Sequence, residues 1–122
     1  FALSPGTDAR IMAAMDGNFA DRVAKGHFDY PCAGSIFKND RNFGRPTGKI
    51  LDDLGFRGKR LGSAMVSEKH ANIFVNPGGA TATDMLAMIR LAQAEARARF
   101  DFELEPEVVM LGDFGVERER IR

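Results

Sequence analysis

The sequence predicts an α+β fold, a compact domain of about three helices packed on a small mixed or antiparallel sheet. Three observations lead there. Amphipathic stretches carry recognisable caps, and short segments rich in β-branched and aromatic residues are bounded by glycine and asparagine. The regular alternation of long strands and crossover helices that marks a parallel α/β sheet is absent. With 122 residues and no internal repeat, heptad run or low-complexity linker, the whole of 1–122 reads as one domain with a modest core.

The elements follow in chain order. In "SPGTDARIMAAMDGNFADRVAKG", Ile11, Met15, Phe19 and Val23 recur every four residues and Thr7 stands where a cap belongs, so an amphipathic helix ends before Gly26. From Tyr30 to Phe37 the chain is too short and too rich in Pro, Gly and Ser for a helix, and a loop is expected to enter a strand at Ser35. "RPTGKILDDLGFRG" predicts a helix of about two turns, with Thr47 as cap, Ile50, Leu51 and Leu54 on one face and Gly55 as terminator. Short extended pieces follow around "KRLGSAMVS" and "NIFVN", closed by the turn "NPGG". In "TATDMLAMIRLAQAEARARF", Thr81 and Asp84 have capping-box spacing, and Met85, Ile89, Ala92, Ala96 and Phe100 form one stripe of a long helix. "ELEPEVVML" then reads as a strand buried on both faces, with Glu107 near its start.

Composition narrows the function. Seventeen basic residues balance seventeen acidic ones, so no overall field draws the chain to nucleic acid or an anionic membrane, and any phosphate site must be local. The single cysteine, Cys32, excludes an internal disulfide framework and suits a reducing compartment, while the apolar runs are too short to span a bilayer. A soluble, cytoplasmic protein is expected. The chain opens at Phe1 without a signal-peptide layout and reads as a piece of something longer.

Ser35 lacks the second glycine of a G-x-S-x-G elbow, because Phe37 stands there, and no Ser, His and acid set supports acyl transfer. From the residues alone its hydroxyl either satisfies a nearby backbone group or acts with a partner. Lys25, Lys38, Asn39 and Arg57 are either solvated or donors to an anionic ligand. "GFRGKRLGSA" matches neither the phosphate loop nor the dinucleotide fingerprint. His27 and His70 lack neighbouring ligands at metal spacing, so no metal is assigned. Glu107, directly before "VVML", is either a partly desolvated functional carboxyl or an exposed group at a strand mouth. Glu103 and Glu105 read as more solvent-facing.

Taken together, "YPCAGSIFKN", "GKILDDLGFRGKRLGSAMVSEKHANIFVN", "TATDML" and "LEPEVVMLGDF" resemble the C-terminal domain of the UDP-N-acetylenolpyruvylglucosamine reductases, bacterial flavoenzymes of peptidoglycan synthesis. The likeness runs from about Lys25 to the end, and the preceding helix fits the same domain. It implies that NADPH reduces FAD, that a hydride passes to the enolpyruvyl methylene carbon, and that an acid protonates the adjacent carbon to give UDP-N-acetylmuramate. The resemblance makes Ser35 that acid and Glu107 the acidic group acting with it. It assigns Lys25, Asn39, Arg57 and His70 to binding the substrate, UDP-N-acetylglucosamine enolpyruvate. Asp40 stands where many relatives have proline, and the connection from Asn39 to Thr47 is short. The flavin-binding domains and a further arginine lie N-terminal in the family, so this chain alone is expected to bind no FAD and not to catalyse. The competing reading is a free-standing nucleotide-sugar binding or regulatory module without chemistry.

Overall fold

The computed structural model describes residues 2–114. Its order is α1 (Asp8–Ala24), β1 (Cys32–Ser35), a 3-10 turn (Arg41–Phe43), α2 (Thr47–Asp53), β2 (Arg60–Leu61), β3 (Ala64–Val66), β4 (Ile73–Val75) and α3 (Ala82–Phe100). The strands form one four-stranded antiparallel sheet in the order β1-β4-β3-β2. This is the predicted α+β class, with the sheet antiparallel throughout.

Side chains alternate across a strand, and the sheet uses both faces. Val66 and Phe74 meet Met88, Ile89, Ala92 and Ala96 of α3, together with Leu51 of α2 and with Ile36, Phe37, Phe56 and Leu104. Met65, Ile73 and Val75 form a second buried cluster, with Cys32 packed against it. Phe37 and Phe74 are 1% exposed each and meet edge to face at 6.2 Å; burying each phenyl ring contributes about 1.5–3 kcal/mol. Helix α3 starts where its caps direct: Thr81 Oγ1 accepts from the Asp84 N–H and Asp84 Oδ2 from the Thr81 N–H, at 3.1 and 3.0 Å.

Four expectations change. Helix α1 has its Thr7 cap and its apolar repeat, yet none of its residues is buried; Ile11, Met15, Phe19 and Val23 are 42–60% exposed. Strand β1 ends at Ser35 rather than beginning there. It is an edge strand already paired at Cys32 with Val75, a position that tolerates the preceding Pro31. Thr47 does not cap α2. Pro46 holds that position without a side-chain bond, and Thr47 is fully buried with its hydroxyl donating to the Lys38 carbonyl at 2.8 Å. Finally, "ELEPEVVML" forms no strand. Only an isolated bridge joins Pro106 to Phe37, because proline has no N–H with which to continue a ladder. Val109 is 78% exposed.

Candidate functional site

Past the end of β1, the chain crosses in front of α2 and the loop leading into β4, and the three leave a cleft of about 240 Å³. Ser35, Asn39, Arg57 and His70 line it, together with Gly48, Lys69 and Asn72. Four of the six residues assigned from the sequence therefore share one cavity. Asn39 spends its carbonyl oxygen on the Thr47 N–H, 2.9 Å away at the start of α2, so what it can present to a ligand is its amide N–H₂. Arg57 forks onto Asp52, at 2.8 Å from Nε and 3.0 Å from Nη2. Lys69 pairs with Asp29 at 3.0 Å. These exposed pairs are weakly held, and their cations can turn to an incoming anion at small cost.

His70 is the best-defined donor. The Asn72 backbone N–H donates to its Nδ1 at 3.2 Å, which leaves the ring proton on Nε2. Burial holds the imidazolium form down, and the positive charge of His27, Lys25 and Arg57 adds to this. Lys25, bonded to Asp21 at 2.8 Å, thus acts on the cleft through its field and does not line it. The His70 ring is seated against Gly48, where a Cβ would stand 2.8 Å from Cε1. His27 and His70 are 6.3 Å apart between ring centroids, but the described residues contain no group of three or more metal-ligating side chains.

The segment after Ser35 is held from two sides. On one, the Glu107 N–H donates to the Ile36 carbonyl at 2.8 Å and the Lys38 N–H to the Glu105 carbonyl at 2.9 Å. Glu107 is thereby brought beside Ser35 in the chain path, although it does not line the cleft. Its side chain is exposed, which, of the two readings the sequence left open, favours the group at a strand mouth over the desolvated carboxyl. Glu105 is occupied by Lys38, 2.7 Å away; that hydrogen bond, then the charge of Glu105, raises the Lys38 ammonium above its ordinary pKa.

Residues 26–111 match the family model described as "UDP-N-acetylenolpyruvoylglucosamine reductase, C-terminal domain". The chain belongs to this family. A UDP-N-acetylenolpyruvoylglucosamine reductase of Treponema denticola is 40% identical over 115 residues, 94% of this chain and 36% of the relative. One from Listeria monocytogenes is 47% identical over 103 residues, 84% of this chain and 34% of the relative. The crystal structure of the Thermus caldophilus reductase aligns with a TM-score of 0.64 and 32% identity, over 88% of this chain and 37% of that one. The chain thus spans about a third of the length of these relatives.

Within the reductase family match lie Ser35, Asn39, Arg57, His70 and Glu107, whereas α1 and Lys25 precede it. Seven lining residues escaped the sequence reading, among them Gly48, Lys69 and Asn72. Lys69 sits beside His70 and carried that signal of adjacency. Nothing in the sequence singled out Gly48 or Asn72; only the tertiary packing shows what each touches.

Proposed function

We propose that the chain is the substrate-binding and proton-donating C-terminal domain, residues 1–122, of an FAD-dependent, NADPH-using UDP-N-acetylenolpyruvoylglucosamine reductase. Its substrate is UDP-N-acetylglucosamine enolpyruvate, and its place is in bacterial peptidoglycan synthesis in the cytoplasm. The observation that carries this is the convergence of a hydroxyl, an amide, an imidazole N–H and three cations, from Ser35, Asn39, His70, Lys49, Arg57 and Lys69, with the Asp52 carboxylate beside them, on one cleft of a chain whose net charge is zero. Such a donor set suits a diphosphate joined to neutral hydrogen-bonding groups.

Flavin and nicotinamide contacts are assigned to the N-terminal portion of the longer protein that the family likeness implies; this chain carries neither a glycine-rich dinucleotide fingerprint nor a phosphate loop. What this chain supplies is binding and a proton. Reducing an enolpyruvyl double bond places a hydride on one carbon and leaves electron density on its neighbour, next to a carboxylate. That carbon is a strong base, and the Ser35 hydroxyl, although a weak acid in water, can protonate it when held within reach. Glu107, beside Ile36, is the acidic group that acts with it. Arg57, Asn39 and His70, with Lys25 behind them, hold the nucleotide end.

The test uses the full-length protein. Ser35→Ala should leave reduction of FAD by NADPH intact and slow reoxidation by the enolpyruvyl substrate about 10²- to 10⁴-fold. Equal slowing of both half-reactions would remove Ser35 from the proton step.

A further inference from the structure

We propose that Asn72 is a positioning residue for Ser35, its side-chain amide standing in for the neighbouring strand that β1 lacks at its end. This inference rests on the proton-donating reading above. Asn72 is 4% exposed and lies between the cleft and the core. Its Oδ1 accepts from the Phe37 N–H at 3.0 Å and its Nδ2 donates to the Phe37 carbonyl at 2.9 Å. Its own carbonyl accepts from the Ile36 N–H at 2.9 Å, and its N–H fixes the His70 ring.

The need for such a clamp comes from β1 itself. The register against β4 shifts between Cys32 and Ser35, and Gly34, at φ +77°, takes a left-handed conformation there that other residues resist. Ser35 pairs with Ile73 at the last rung, just beyond an irregularity, where a ladder frays. In a regular sheet the next residue of a partner strand would satisfy Phe37. Here a side chain does so, and a primary amide is suited to it because one atom accepts while the other donates, as a peptide group does. The far side of the same segment is bonded to Glu105 and Glu107. Removing the amide would leave two polar backbone atoms buried and unpaired, and the segment would shift to hydrate them. Ser35, the neighbour of Ile36, would move with it, and a displacement of about 1 Å is enough to spoil proton transfer.

Two variants of the full-length protein test this, Asn72→Leu and Asn72→Asp, each first checked for fold by circular dichroism and thermal melting. Leucine keeps the shape and removes both bonds. Aspartate is the conservative probe: protonated, its carboxylic acid accepts from Phe37 and donates to it as the amide does; ionised, it cannot donate. Asn72→Leu should bind uridine diphosphate within a few-fold of wild type and be reduced normally by NADPH, yet be reoxidised by the enolpyruvyl substrate about 10- to 100-fold more slowly. Asn72→Asp should be slow at pH 8 and recover toward wild type as pH falls, a profile that neither wild type nor Asn72→Leu shows. Folded variants that reoxidise at the wild-type rate, an Asp variant without pH-dependent recovery, or variants that lose binding and both half-reactions together would each overturn the proposal. So would failure of both to fold, which would make the amide purely structural. A wild-type protein that the enolpyruvyl substrate does not reoxidise would instead sink the functional reading and this role with it.

Discussion

Replacing Gly48 by alanine should separate binding from stability. The added Cβ would stand 2.8 Å from His70 Cε1, whereas carbon atoms rest at no less than ~3.5 Å, so the ring must retreat by about 0.7 Å. The bond from the Asn72 N–H to Nδ1, at 3.2 Å, is already long and would break, at a cost of about 1 kcal/mol. Alanine in place of glycine within α2 returns ~0.5–1 kcal/mol, so global stability, read by urea denaturation, should be nearly unchanged. Affinity should not. The Nε2–H leaves its place, and losing a hydrogen bond to a charged group costs about 1.5–3 kcal/mol, or roughly 10- to 150-fold in the Kd for uridine diphosphate. In a His70→Ala background there is no ring to displace, and Gly48→Ala should then change the Kd less than about twofold, which a double-mutant cycle by calorimetry reads directly. Equal losses with and without His70, or an unchanged Kd in the single variant, would refute the reasoning.

Further expectations concern charge and backbone. Glu107→Gln in the full-length protein should keep uridine diphosphate affinity within a few-fold and slow flavin reoxidation, while Glu105→Gln, which loses only an exposed pair with Lys38, should not; stopped-flow rates that match would remove Glu107 from the chemistry. The His70 pKa is lowered from 6.5 in the fold, so the unfolded chain takes up the proton first. Stability from this group is therefore complete above about pH 6.5 and is lost as pH falls through the lower folded value. His70→Gln should flatten the slope of stability against pH in that window. A bound diphosphate opposes the surrounding positive charge and should raise the His70 titration midpoint, followed by NMR. Asp101, at the end of α3, is held at φ 56° and is the one non-glycine residue with positive φ among those described. Asp101→Gly should stabilise by about 0.5–1 kcal/mol in thermal or urea melts.

Helix α3 was legible because its capping box and stripe are local: Thr81, Asp84 and the residues that turn inward all lie within one element. Likewise Gly55 ends α2 because a left-handed residue past a helix needs no distant partner. The family motifs carried Ser35, Asn39, Arg57 and His70 into one reading, and the fold brings those four to one cleft. Periodicity cannot say what a stripe packs against, so α1 was correctly drawn and yet has no buried residue. Composition likewise could not show that Pro106 limits "EPEVVML" to a single bridge, leaving Glu107 in solvent. The roles of Thr47, Asn72 and Gly48 were decided only by the tertiary structure. A hydroxyl on the Lys38 carbonyl, an amide on Phe37 and a bare Cα under His70 join positions 9, 35 and 22 residues apart. Contacts of that kind exist only once the chain has closed its loops, and no pattern of neighbouring side chains encodes them.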